Sequence, residues 1–344
     1  MKLSPWLSKG LVLPLIVLNG WLLLVVLEYF GSLVTIIAVA TLLSFILDYP
    51  VKFLNKWKIG RFPSILIVLI SAIAIFTILG VTVIPLIIEQ FNQLLERLPS
   101  WLNSGSEQLT VFNTWIEGRN FPLDLANVGE ELLRRISTQL QKISGQVLSS
   151  IFSALSSVFD FLLIGVLTFY LLLHGEEVWQ LLFNLLPDNL SEQIRRSLGK
   201  TFQNYFIGQI SVATIMGSTI TIALLVMQVP FGLLFGVGVS IMAVFPFGAA
   251  LSISVISFLV ALKSFWLGVK VLAVAFIIQQ IIENAIAPRL LGEFTGLNPV
   301  LILISLLVGA KIAGFIGLIL AVPLASFTKS AIAIYQNRAE VITT

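Results

Sequence analysis

Four polar residues close an otherwise apolar run: Gln279, Gln280, Glu283 and Asn284, just ahead of Ala287-Pro288. Gln279 and Gln280 stand four and three residues before Glu283, so the three share one helix face, with Asn284 beside them. Together they supply one titratable carboxylate and several amide donors and acceptors. Such a set can exchange a proton, hold a monovalent cation or bind the hydroxyls of a polar molecule. Burial favours the protonated form of a carboxylate, which suits proton exchange. The plainer alternative is a boundary residue, with Glu283 paired to Arg289. Gln209 opens another apolar run and offers the same amide chemistry. Asp160, within Val158-Phe159-Asp160-Phe161, either relays a proton or sits near a surface. Lys311, within Val308-Gly309-Ala310-Lys311, must bring its charge to water, a carboxylate or a helix end. It either binds an anionic group, pairs with Glu283, or snorkels from a turn.

The surroundings give these residues their meaning. The chain of 344 residues is 58% hydrophobic and 11% charged, with a mean hydropathy of +1.02. Soluble domains carry roughly 25% charged residues, so this is an all-α polytopic membrane protein whose partner is the lipid bilayer. There is no cysteine and a single histidine, His174, which removes thiolate nucleophiles, disulfides and His dyads. No Walker-type phosphate loop is present either. An enzyme is therefore not expected, nor a metal or a cofactor. The net charge of +3 reports topology rather than nucleic acid.

A spanning helix needs about 20 apolar residues. Eight hydrophobic segments qualify or nearly so: 11–29, 33–47, 64–88, 147–173, 205–227, 233–262, 265–287 and 300–327. The second is short. No cleavage site follows the first, so the N-terminus is read as an uncleaved helical hairpin. Lys2 and Lys9, then Lys52, Lys56, Lys58 and Arg61, mark the cytoplasmic side, which also places both termini there. Residues 89–145 then lie outside, with seven acidic and five basic side chains. Helical spacing in Phe91, Leu94, Leu95 and Leu98, and again in Leu132, Leu133, Ile136 and Leu140, predicts two amphipathic helices. Pro99, Gly105, Gly118 and Pro122 punctuate them. Such helices form either a cap or an oligomerisation surface. The resulting division is 1–88 (N-terminal spans), 89–146 (outer helices), 147–204 (fourth span and an interfacial helix), 205–330 (core) and 331–344 (tail).

Within 205–330 the chain reads as two copies of one plan. Gln209 leads to Pro230 and then the break Phe245-Pro246-Phe247-Gly248; Gln279 leads to Pro299 and then Gly309, Gly314 and Gly317. Broken apolar segments in corresponding positions mark the substrate region of many secondary transporters. On one reading both are re-entrant hairpins in an inverted repeat, with Pro246, Gly248, Pro288, Pro299 and the three glycines as tips and hinges. On the other, both are ordinary spans with a kink. The glycine pairs also suit close helix packing.

The run Glu283-Asn284-Ala285-Ile286-Ala287-Pro288-Arg289-Leu290-Leu291-Gly292, continued by Thr295-Gly296-Leu297-Asn298-Pro299 to Gly309, Gly314, Gly317 and Pro323, resembles the AI-2E transporter family. Gly208-Gln209, Phe245-Pro246-Phe247-Gly248 and Phe169-Tyr170-Leu171 fit the same pattern, and the resemblance covers essentially the whole chain. Two positions depart from it: His174 replaces a common acidic residue, and Lys311 stands in a stretch usually uncharged or acidic. The resemblance implies a multi-pass permease of the bacterial inner membrane that assembles as a homo-oligomer, a pentamer in the exporter branch. It implies proton-motive export of a small polar solute of the autoinducer-2 type, or else sodium/proton antiport. A scaffold that transports nothing is the remote alternative. Glu283 would be the coupling acid, with Gln209, Gln279, Gln280 and Asn284 binding the solute.

Overall fold

A computed structural model describes residues 29–117, 158–183, 188–291 and 297–343 continuously, with scattered positions in 14–25 and 135–139. Most of the expected first span, the second outer helix and the start of the fourth span lie outside the described residues. Every regular element among the described residues is helical. In chain order they are α1 (Gly31–Asn55), α2 (Arg61–Glu117), α3 (Val158–Phe183), α4 (Asp188–Val226), α5 (Gly232–Met242), α6 (Gly248–Lys263), α7 (Phe265–Ile281), a π-helical turn (Ile282–Ile286), α8 (Ala287–Leu291) and α9 (Pro299–Thr343). Six of the helices are long and apolar enough to cross a membrane, and α5 and α6 are shorter apolar helices. The protein is a multi-pass, all-α membrane protein.

Three boundaries differ from the sequence reading. The second span is not short: α1 runs 25 residues, through Pro50. The outer helix expected to end at Pro99 is continuous with the third span in α2, 57 residues with Pro85 and Pro99 inside. At 1.5 Å per residue α2 is about 85 Å long, against about 30 Å of hydrocarbon. Likewise the interfacial helix expected at the end of 147–204 runs on into the fifth span as α4. Punctuation by proline and glycine did not stop these helices because neighbouring protein packs against them: Leu94, Leu98 and Trp101 of α2 are buried.

Backbone contacts gather into two compact units, Met1–Ile65 with Phe159–Thr201 and Leu297–Thr344, and Leu66–Val158 with Phe202–Gly296. In the first, Thr168 of α3 reaches toward the Ala40 carbonyl of α1 at 3.4 Å, and Arg61 Nη2 donates to the Leu172 carbonyl at 3.2 Å. In the second, one apolar core joins α2, α4, α5, α6 and α7 around Met216, Val239, Val260 and Val271.

Within that second unit α4 and α5 run antiparallel along a seam of small residues. Ser240 Oγ donates to the Ala213 carbonyl at 2.9 Å. A methyl group on Gly236 would lie 2.8 Å from Thr221 Cα, and one on Gly217 3.0 Å from Ser240 Cα. Small residues let membrane helices approach this closely. One extended residue, Ser264, links α6 to α7, and a methyl on Gly268 would lie 2.6 Å from Ala261 Cα.

Candidate functional site

Pro246 and the residues around it end α5 and start α6. Proline lacks an N–H and disfavours helix at the residue before it. The chain turns at 243–247, with Phe247 in the left-handed region at φ 64°. The turn is closed by Phe245 N–H donating to the Met242 carbonyl and Gly248 N–H donating to that of Phe245, both at 3.0 Å. Gly248 is required by space, since a side chain there would meet the Met242 carbonyl, 2.8 Å from its carbon. At 11 and 16 residues, α5 and α6 are each too short to span, and they pack on each other. Gln209 fastens this tip: its Nε2 donates to the Ala243 carbonyl at 2.6 Å. Its amide was expected to bind solute; in the structure its N–H satisfies a backbone acceptor freed by the break.

The second broken segment has the same character. Inside α9 the backbone leaves helical angles at Ala313 (φ −133°, ψ 25°) and Gly314 (φ 54°, ψ −131°). Gly309 and Gly317 then meet backbone to backbone: a methyl on Gly309 would lie 2.9 Å from the Gly317 carbonyl carbon. Residues eight apart in a straight helix are about 12 Å distant, so the chain folds back on itself here. A simple kink does not describe it. Lys311 is exposed two residues before this turn, as a snorkelling side chain at a hairpin tip would be. Pro299 is less a hinge than a helix start. It is the first residue of α9, and Asn298 Oδ1 accepts from Val300 N–H at 3.1 Å. Asparagine before a first-turn proline is a strong start signal.

The cluster at the end of α7 is brought together as the spacing predicted. Gln279 Nε2 donates to Glu283 Oε1 at 2.8 Å, and Asn284 Nδ2 donates to Gln280 Oε1 at 2.7 Å. Gln279 is buried, whereas Gln280, Glu283 and Asn284 are exposed on the single chain. The burial expected for the Glu283 carboxylate is therefore not what the fold provides. Instead the fold changes the backbone beneath it: residues Ile282–Ile286 form a π-turn, closed by Ala287 N–H donating to the Ile282 carbonyl. π-turns are rare and recur at functional sites. Pro288 lies in α8 just beyond it. Among the described residues no ion pair joins Glu283 to Arg289, so that alternative pair is not formed. Glu283 retains acceptor positions beyond the one that Gln279 uses. Asp160 sits exposed in the first turn of α3, where an anion favours the helix dipole. His174 stacks on Tyr170, ring centroids 6.2 Å apart.

Sequence reasoning missed the residues of α2 that hold the first hairpin. Gln90 Oε1 accepts from Leu234 N–H of the first turn of α5 at 3.0 Å. Gln108 bridges the α6–α7 corner, donating to the Leu262 carbonyl at 3.0 Å and accepting from Phe265 N–H at 2.8 Å. Between them Trp101 packs on Phe231, and Arg97 lies over the same ring. Phe231 itself adopts φ 62°, a conformation uncommon for a bulky residue. The available signal was two glutamines on the otherwise apolar inner face of a helix.

The family model described as AI-2E family transporter matches residues 11–337. The chain is 43% identical over 323 residues to the Synechocystis protein named "Putative transport protein sll0063", covering 93% of this chain and 82% of that one. A second Synechocystis protein, sll0060, named likewise, is 39% identical over 325 residues, 94% of each chain. The Escherichia coli protein named AI-2 transport protein TqsA is 23% identical over 348 residues, 93% of this chain and 94% of that one.

Proposed function

The chain belongs to the AI-2E transporter family, and from that premise we propose that it is a secondary transporter that exports a small polar solute against the inward flow of protons. The observation that carries this reading is the π-turn at Ile282–Ile286, which presents a carboxylate bonded to a neighbouring amide. A proton on Glu283 and a hydroxyl of the solute compete for the same acceptor oxygens. Gln280 and Asn284, already bonded to each other, offer the remaining donor and acceptor positions. The two hairpins, with tips at 243–247 and 313–314, supply irregular backbone of the kind tolerated at membrane depth where protein or a watery cavity surrounds it. That arrangement is shared with transporters built on broken helices. The name of the E. coli relative makes autoinducer-2 the first solute to test. Sodium/proton antiport is the second reading. It is favoured by one feature: among the described residues no cationic side chain is paired to Glu283, which so keeps lone pairs for a monovalent cation.

Proteoliposomes loaded acid inside, with a lumenal pH dye, separate the two. In the exporter reading added autoinducer-2 accumulates and the lumen alkalinises, whereas a sodium pulse does neither. Rapid alkalinisation by sodium alone moves the assignment to antiport. Glu283→Gln, assembled normally, is expected to lose the response in either case. Wild-type flux in that variant would remove Glu283 from the mechanism.

A further inference from the structure

Away from the α7 cluster, the first unit contains a cavity of about 360 Å³. Its walls are the end of α1, the start of α2, the later part of α3 and a stretch of α4. Measured against the membrane-crossing stretches Gly31–Asn55, Arg61–Gln108, Phe159–Val178 and Ser197–Val226, these are two span ends and two span beginnings. Four helices crossing in alternate directions thus meet the cavity at one membrane–water boundary, the level of lipid headgroups. Tyr49, Phe53, Trp57 and Phe62, all exposed, lie in the adjoining 49–62 stretch. Exposed aromatics of this kind mark the interface.

The polar lining has both signs of charge. Lys52 Nζ and Asp48 Oδ2 pair at 2.6 Å. Arg61 and Glu176 also line the cavity, and among the described residues neither is in an ion pair. One guanidinium nitrogen of Arg61 is used on the Leu172 carbonyl, leaving its other donors. Asn55 contributes a buried Oδ1 with no hydrogen-bond donor. A buried acceptor without a donor asks for one from outside the chain. Phe45, Leu171 and Leu198 supply apolar wall.

We propose that this cavity holds the headgroup of an aminophospholipid, a phosphodiester beside a primary ammonium. The phosphate faces Arg61 and Lys52, since a guanidinium matches phosphate oxygens in two-pronged fashion. The ammonium faces Glu176 and Asp48 and donates to Asn55 Oδ1, and the acyl chains lie along Phe45, Leu171 and Leu198. A purely anionic headgroup would meet two carboxylates unfavourably. A choline headgroup has the positive charge but no N–H for Asn55. The site is independent of the transport reading.

The test is native mass spectrometry of the full chain, delipidated in detergent and given phosphatidylethanolamine, phosphatidylcholine or phosphatidylglycerol with identical acyl chains. Phosphatidylethanolamine is expected to bind about tenfold more tightly than phosphatidylcholine, the factor that one hydrogen bond to a charged group supplies. Asn55→Leu should bring it down to the phosphatidylcholine level, and Glu176→Gln should weaken both zwitterionic lipids. Arg61→Met should weaken all three lipids, and if it does not fold the first two variants decide. Equal binding of the ethanolamine and choline lipids, a preference for phosphatidylglycerol, an unchanged preference in Asn55→Leu, or unchanged binding of both zwitterionic lipids in Glu176→Gln overturns the proposal. Displacement of the lipid by free O-phosphoethanolamine at equal concentration also overturns it, by making the site one for a soluble zwitterion.

Discussion

Two glycines of α5, Gly236 and Gly238, stand two residues apart and should respond to alanine with opposite sign. A methyl on Gly238 meets nothing within 4 Å, and its backbone is helical. Alanine there should stabilise by about 0.4–1 kcal/mol, chiefly by restricting the unfolded chain. A methyl on Gly236 would lie 2.7 Å from Thr221 Cβ and 2.8 Å from Thr221 Cα, where ordinary contact begins at 3.4 Å. The α4–α5 seam would have to open by about 0.6–0.7 Å, and the second of these contacts is backbone, which no rotamer change relieves. Overpacking of this kind costs about 1–3 kcal/mol. The two variants should therefore differ by about 1–3 kcal/mol, since the entropic gain common to both cancels. Unfolding midpoints in mixed micelles measure this directly. Thr221→Gly removes the hydroxyl and Cβ but leaves the Cα, so a double-mutant cycle with Gly236→Ala should show favourable coupling of about 1 kcal/mol. A neutral Gly236→Ala, or zero coupling to Thr221, would mean that α4 and α5 are not packed in this register, and the tip would lose its foundation.

Gln209→Leu leaves the Ala243 carbonyl without its donor, a loss of about 1–3 kcal/mol. Amide exchange at 243–248 should quicken while exchange at the α6–α7 corner stays unchanged; unaltered exchange at the tip would refute the fastening role. Spin labels at Ile304 and Leu324, both exposed, should lie far nearer than the roughly 30 Å that twenty residues of straight helix impose. Gly309→Ala should lengthen that distance, and a straight-helix value in the unmodified chain would rule out the reversal at Ala313–Gly314. Asn298→Ala removes the cap on Val300 N–H and should cost about 1 kcal/mol. Fraying should appear in exchange of the first turn of α9 and nowhere else.

Composition alone settled that this chain lives in a membrane, because 11% charge cannot coat a soluble domain of this size. Spacing alone put Gln279 against Glu283 and Gln280 against Asn284, since i, i+4 neighbours on a helix meet whatever the rest of the fold does. The breaks at Pro246 and Gly314 were also legible, for proline and a positive-φ glycine act locally. What they do to the chain was not. A kink and a reversal have the same local signature, and only the Gly309–Gly317 approach distinguishes them. Pro99 shows the converse: a residue that stops a helix in isolation is carried through when Leu94, Leu98 and Trp101 around it are buried. The π-turn under Glu283 likewise has no mark in the sequence, because one extra residue per turn depends on what packs around the helix. Tertiary structure also decided how Gln209, Gln90 and Gln108 are used. An amide in an apolar helix must find a partner, and the sequence cannot say whether that partner is a solute or the backbone ends of a neighbouring hairpin. Here they are the carbonyl of Ala243, the N–H of Leu234 and the α6–α7 corner, groups that exist unpaired only because two helices stop short inside the fold.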